Sequence, residues 1–225
     1  MTAPSFSTGE AALVLAWCVQ ESSGPIEFDV IGQLAFLDDL AASVPSPTAS
    51  GIAEHLFGEG RRFRGNLDAY YEPENSFLDR VLATGLGIPI TLSLVMIEVG
   101  ERLGVPLAGV GLPAHFVVGE FDGGQLDRFY DCFAGGRCLD REGCRRLVSQ
   151  LAGREVVIPD ALFAPVSSHA LLERMLNNLK SLYSARPEDL SSVRTLARVM
   201  TLRSFLPGVG ESEAAERWRL SAPLN

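Results

Sequence analysis

The chain has 225 residues, 47% hydrophobic and 21% charged, with 19 basic against 28 acidic side chains and a formal net charge of -9. That composition suits a globular protein with a sizeable core, and its acidic balance argues against nonspecific binding to nucleic acid or an anionic membrane, which needs a concentrated basic face. No stretch approaches the ~18 uninterrupted apolar residues of a membrane span, and no secretory leader pattern opens the chain, so the cytoplasm is the expected compartment.

Residues 9–20 are nearly continuous in Ala, Leu and Val, with Trp17 among them and Thr8 as a candidate N-cap, which predicts a buried helix. From Asp29 to Ser43, apolar side chains at Val30, Leu34, Leu37, Leu40 and Ala41 form a helical stripe. Residues 43–50, with two prolines, read as a loop; a short helix follows over 49–57, and 58–66 is a Gly- and Arg-rich loop. Phe77, Val81 and Leu82 mark a helix that stops near Gly85-Leu86-Gly87. Pro89 fits the first position of an apolar helix, where its missing N–H costs nothing; that helix ends before Gly104.

The pattern then turns to β. Residues 107–112, 115–121 and 125–133 are short β-prone runs, the last two joined by Asp122-Gly123-Gly124, a hairpin signal. Asp140 can cap a helix through Leu151, and Val156 to Ile158 reads as a further strand. Residues 169–184 and 187–203 form two amphipathic helices, and the polar tail from Pro207 has one final turn near 214–218. The class is α+β, with a small antiparallel sheet between helices. The expected division is a helical N-terminal region over 1–60, a core over 61–160, and a C-terminal helical hairpin and tail over 161–225.

Cys18, Cys132, Cys138 and Cys144 do not make a disulfide scaffold in a chain of this length. Zinc and redox pairs want two residues between cysteines, a spacing absent here; reduced thiols, no metal site and no cofactor are expected. His115 carries the strongest chemical signal. Strand alternation puts His115 and Val117 on one face and Phe116 and Val118 on the other. Asp131, on the paired strand, is placed to accept a hydrogen bond from the imidazole. Such a pair would fix the tautomer and raise the basicity of the second nitrogen, as a general base requires; a structural His–Asp bond explains the same spacing. Asn75 and Ser76 are read as opening a helix, either as simple caps or as a site for an anion or peptide carboxylate. Tyr70 and Tyr71 form an aromatic wall for a peptide-like ligand or, by default, pack on the core.

Six words stand in order: Gly65-Asn66, Tyr70-Tyr71-Glu72-Pro73, Asn75-Ser76-Phe77-Leu78, a run from Gly87 through Pro89 to Ser93, a run from Gly111 to Phe116, and Asp131-Cys132-Phe133-Ala134-Gly135-Gly136. Together they resemble the SirB-type branch of the transglutaminase-like superfamily. The helical flanks are similar too, with Leu176 to Lys180 resembling the start of a tetratricopeptide-like tail. The resemblance implies a papain-like core with Cys–His–Asp geometry, in which the cysteine begins the central helix. His115 and Asp131 match the last two members, and counting back from the turn at Gly104-Val105-Pro106 puts Pro89 where the thiol belongs. Proline has neither a nucleophile nor a backbone donor for an oxyanion hole.

Thr91 and Ser93 lie early in the same helix, where a hydroxyl activated by His115 is chemically conceivable and a capping or core hydroxyl is the simpler reading. The expected function is therefore a noncatalytic protein that binds a peptide or protein partner in the old cleft. The alternatives are an unconventional hydrolase or acyltransferase using His115 and Asp131 with Thr91, Ser93 or a water, and a structural or regulatory protein with a vestigial site.

Overall fold

In the computed structural model, which describes residues 6–20 and 29–206, helices α1 (Thr8–Gln20), α2 (Val30–Ser43) and α3 (Ala49–Phe57) lead into strand β1 (Arg64–Gly65). Helix α4 (Leu78–Thr84) separates β1 from its parallel partner β2 (Leu86–Gly87), and helix α5 (Pro89–Arg102) follows directly. An antiparallel meander comes next: β3 (Leu107–Leu112), β4 (His115–Asp122), β5 (Gln125–Asp131) and β6 (Arg137–Leu139). Helices α6 (Arg141–Ala152), α7 (Ser168–Ser184) and α8 (Leu190–Arg203) complete the described chain. The expected turn near 214–218 lies outside the described residues. Among these residues no helix is long and apolar enough to cross a membrane.

α5 is the centre of the α+β fold. Every residue from Pro89 to Met96 is buried, as befits a helix that is apolar all round. One face of the sheet, with Phe116, Val118 and Tyr130, packs on α5 together with α2, α3 and α4. The opposite face, with Val110, Val117 and Phe129, packs on Cys144 and Val148 of α6 and on Ile158 and Phe163. Alternation along β4 thus divides its side chains between two cores, as the sequence implies. α7 and α8 do not project from the body: Leu176, Leu179 and Val199 share a third core with Leu15, Ala16 and Val19 of α1.

Helix ends follow local chemistry. Asp29, Thr48, Asp140 and Asp189 each accept from main-chain N–H groups two or three residues on. Gly85 ends α4 at φ 75°, a conformation that favours glycine. The Gly123-Gly124 turn, with φ of 57° and 90°, closes the β4–β5 hairpin.

Several sequence expectations are corrected. Ser7, not Thr8, accepts from Glu10 N at 3.0 Å, while the Thr8 hydroxyl donates to Ser168 at 2.7 Å. α1 is not buried all round, since Trp17 is 54% exposed. Val156 to Ile158 forms no strand: Ile158 enters the core beside Phe163 while Val157 faces solvent, so its apolar character serves packing without a ladder partner. β5 stops at Asp131, whose side chain accepts from Ala134 N and turns Cys132–Ala134 into a 3-10 helix. α8 begins at Leu190 because Asp189 caps it.

Candidate binding cleft

β3 and β4 are joined by the two-residue turn Pro113-Ala114, with Leu112 opposite His115. Ala114 sits at φ 54°, a left-handed conformation that costs a non-glycine residue energy and recurs at functional sites. The turn delivers His115 to the first position of β4. Continuing the Val118–Tyr130 register by one pair sets Asp131 opposite Val117, diagonal to His115 on the same face. His115 Nε2 and Asp131 Oδ1 are 3.0 Å apart, with both side chains buried. Asp131 is held further by Ala134 N at 3.3 Å and by Arg137 at 3.7 Å. His115 Nδ1 has no hydrogen-bond partner among the described residues, and His115 borders a cavity. With the Nε2 proton directed at Asp131, the neutral ring leaves Nδ1 as an acceptor.

The cavity, of about 250 Å³, brings Pro89 and Ile90 at the start of α5 together with Ala114 and His115. None of the four cysteines lines it. Cys132 packs against Met96 Sδ at 3.6 Å, and burial pushes its thiol well above the ordinary range. Burial also drives Cys144 up to about 12, and Cys138 is exposed on β6.

The two candidate hydroxyls do not line the cavity either. Thr91 Oγ1 donates to Asn75 O at 2.7 Å and accepts from Ile88 N at 3.2 Å, so it ties the start of α5 to the preceding loop. Ser93 is fully buried and makes no hydrogen bond of normal geometry; it lies beside the Cys132 thiol, whose upward shift it opposes. Asn75 and Ser76 do not open a helix. They end the 3-10 turn Pro73–Ser76, and α4 starts two residues later without a side-chain cap. The Asn75 carboxamide is fully used, donating to Ala69 O at 2.7 Å and Tyr70 O at 3.1 Å and accepting from Asn66 at 2.9 Å. Its role in this geometry is to shape the loop that carries Tyr70 and Tyr71.

Those tyrosines are not core residues. Tyr71 is 73% exposed, and Tyr70 borders the cavity, its hydroxyl pKa raised by partial burial. Tyr70 meets Tyr71 edge-on at 5.2 Å and Phe133 at 5.7 Å between ring centroids, and Phe133 meets the His115 ring edge-on at 6.4 Å.

Sequence reasoning missed the remaining wall, which is α7. Arg174 Nη2 donates to Leu112 O at 2.7 Å and to His115 O at 2.6 Å, and the guanidinium lies over the Phe116 ring at 5.5 Å. Burial lowers its pKa from the usual arginine value. Asn178, one turn on, borders the same cavity. The available signal was a polar pair at i and i+4 on an amphipathic helix, which alone does not say what that face meets. Among the described residues no cluster of His, Cys, Asp and Glu could hold a metal ion.

The family model described as the transglutaminase-like superfamily matches residues 33–177, a span that includes β1 to β6, α5 and the part of α7 carrying Arg174. The chain belongs to the transglutaminase-like superfamily. Among its transglutaminase-like relatives, a UPF0162 protein of Xylella fastidiosa is 40% identical over 144 residues, 62% of this chain and 50% of that protein. A UPF0162 protein of Pseudomonas aeruginosa is 33% identical over 84% of this chain and 67% of its own length. F-box only protein 21 of Mus musculus is 35% identical over 54% of this chain, which is 20% of that protein. The chain spans about half the length of the first two curated relatives it matches, both from Xylella fastidiosa. No solved structure matches the chain.

Proposed function

We propose that this transglutaminase-like chain is a noncatalytic module that binds a peptide segment of a partner protein in the cleft between the start of α5, the β3–β4 turn and α7. One observation carries the reading: the cavity beside His115 Nδ1 is walled by Pro89, whose ring offers neither nucleophile nor N–H donor, and by no thiol. What remains suits recognition. The cleft offers an imidazole acceptor, the carboxamide of Asn178 and an aromatic wall at Tyr70, a few polar groups among apolar ones. The similar region in F-box only protein 21 makes up 20% of that chain, in keeping with a module of a larger protein. Four free thiols, two of them exposed, fit a reducing compartment such as the cytoplasm.

A second reading has its own support. An imidazole oriented by Asp131 with a free Nδ1 could activate a water for hydrolysis. Thr91 and Ser93 gain no support, because neither hydroxyl borders the cavity. Phage-displayed decapeptides panned on the wild type and on a His115→Ala, Asp131→Asn variant test both readings. Binding predicts sequences enriched on the wild type alone, recovered at unchanged mass after prolonged incubation with the protein. Equal enrichment on both proteins would sink the cleft as the binding site, and cleaved or deamidated peptides would overturn the noncatalytic reading in favour of the second.

A further inference from the structure

A second chamber opens off the cleft, between the Pro73–Ser76 turn and the C-terminal half of α7. We infer that it receives an apolar side chain of the bound peptide, while Asn178 and Ser76 hold the adjoining main-chain amide. The inference rests on the peptide-binding reading above and adds what the site selects.

The chamber has a volume of about 340 Å³, at the lower end of the ~300–1,000 Å³ of ligand pockets. Its walls are apolar at Ile88, Leu182 and Ala185 and aromatic at Tyr70 and Tyr71. The α7 contribution is one helix face: Arg174 and Asn178 stand over the His115 cavity, and Asn178, Leu182 and Ala185 continue at spacings of four and three along the chamber. Tyr70, Ile88 and Asn178 border both spaces, so an extended chain passing from Pro89 into the chamber crosses Asn178.

Two polar groups there point to a ligand with amide character. Ser76 is 1% exposed, borders the chamber, and its Oγ has no hydrogen-bond partner among the described residues. A buried hydroxyl left unpaired is unfavourable, and a ligand that pairs with it recovers that loss. The Asn178 side chain likewise makes no hydrogen bond to any described residue. A carboxamide offers one acceptor and two donors, the complement of a peptide unit's N–H and C=O. Charge at the rim does not favour an acidic side chain. Arg186, at the far end, donates weakly to Tyr71 O at 3.5 Å and faces the Glu72 carboxylate at 3.7 Å, which offsets its charge.

The test is an NMR titration of the full, isotopically labelled chain with two probes, N-acetyl-leucine N-methylamide and N-acetyl-aspartate N-methylamide. The reporters are the methyl groups of Ile88, Leu182 and Ala185, with the His115 ring as an independent reporter for the first cavity. The leucine probe should shift the three methyls saturably and the aspartate probe should not. Ala185→Trp, at an exposed position, should fill the chamber and abolish the Leu182 response. Asn178→Leu should weaken leucine-probe binding up to about tenfold, the loss of one hydrogen bond. Methyls that stay silent, or that respond equally to both probes, overturn the inference. If the His115 ring responds while the methyls stay silent, the chamber assignment fails and the cleft reading stands; if nothing responds, both fail.

Discussion

Arg174 and His115 are joined across the molecule: the guanidinium donates to the His115 carbonyl at 2.6 Å and, with the same nitrogen, to Leu112 O at 2.7 Å. It therefore clamps both ends of the turn that presents the imidazole. Removing it leaves two largely buried carbonyls without their charged donor. Arg174→Leu should cost about 2–3 kcal/mol in urea denaturation and shift the His115 ring resonances, whereas Arg174→Lys should keep part of both. A wild-type midpoint with unmoved His115 resonances would show that the clamp holds nothing.

Pro89→Cys should restore a reactive thiol. The new side chain would stand at the N-terminus of α5 and border the cavity that His115 borders, two features that lower a thiol pKa. Alkylation by iodoacetamide at pH 7 should run at least about tenfold faster than at Cys18 or Cys138, and His115→Ala in the same chain should remove most of that advantage. A rate no higher than that of the exposed thiols would mean that Pro89 does not occupy the nucleophile's place.

The native thiols should divide into two classes. Cys18 and Cys138 are exposed, while Cys132 and Cys144 are buried with raised pKa values. An aromatic disulfide reagent should titrate the first two promptly and the others only after denaturant is added. Prompt reaction of all four would contradict the packing of Cys132 against Met96.

Glu98 should be among the most sensitive positions. Its buried carboxylate accepts from Gly9 N at 2.6 Å, from Ser7 at 3.2 Å and from Arg102 at 2.9 Å, and Arg102 also reaches Asp38 at 2.7 Å. Glu98 joins α1 to α5 directly, and through Arg102 the link extends to α2. Glu98→Ala leaves Arg102 without its buried partner and should lose roughly 3–5 kcal/mol. Glu98→Gln, which still accepts from Gly9, should lose less; equal losses in the two variants would argue against the charge.

Asp79 carries a pH signature. Burial raises its pKa above the ordinary carboxylate value, outweighing the hydrogen bond from Gln20 and the nearby Arg80. A folded pKa above the unfolded one means that the folded state binds the proton more tightly, so Asp79 disfavours folding increasingly as pH rises through those two values. Asp79→Asn, which keeps an acceptor for Gln20, should be more stable than the wild type at pH 7. The advantage should vanish near pH ~3, where both side chains are neutral. Denaturation at the two pH values checks this, and an Asn variant weaker at pH 7 would refute it.

The parts of the cleft that could be read from the sequence are those set by short-range rules. Alternation along β4 and the Gly123-Gly124 hairpin brought His115 and Asp131 together, and proline at a helix start fixed Pro89 beside them. The expectation of a helix start at Asn75 fails because its carboxamide answers a loop's carbonyls rather than a helix end, a choice local sequence does not encode. Val156 to Ile158 looked like a strand because β propensity reports apolar packing as much as pairing. For Tyr71 the sequence leaves ligand wall and core packing both open, because an aromatic residue carries no mark of which side it will face. Arg174 and Asn178 were out of reach, since only the docking of α7 on α1 turns their face toward the cleft.

The clamp between Arg174 and His115 spans 59 residues of chain, and this sets an order of events during translation. Every residue in the motif words through Gly136 has been synthesised before α7 begins at Ser168. A nascent chain paused there holds the imidazole and its carboxylate but lacks the arginine that fixes their turn and the asparagine that borders both cavities. The site is completed by α7, which is synthesised after every other wall of the cleft.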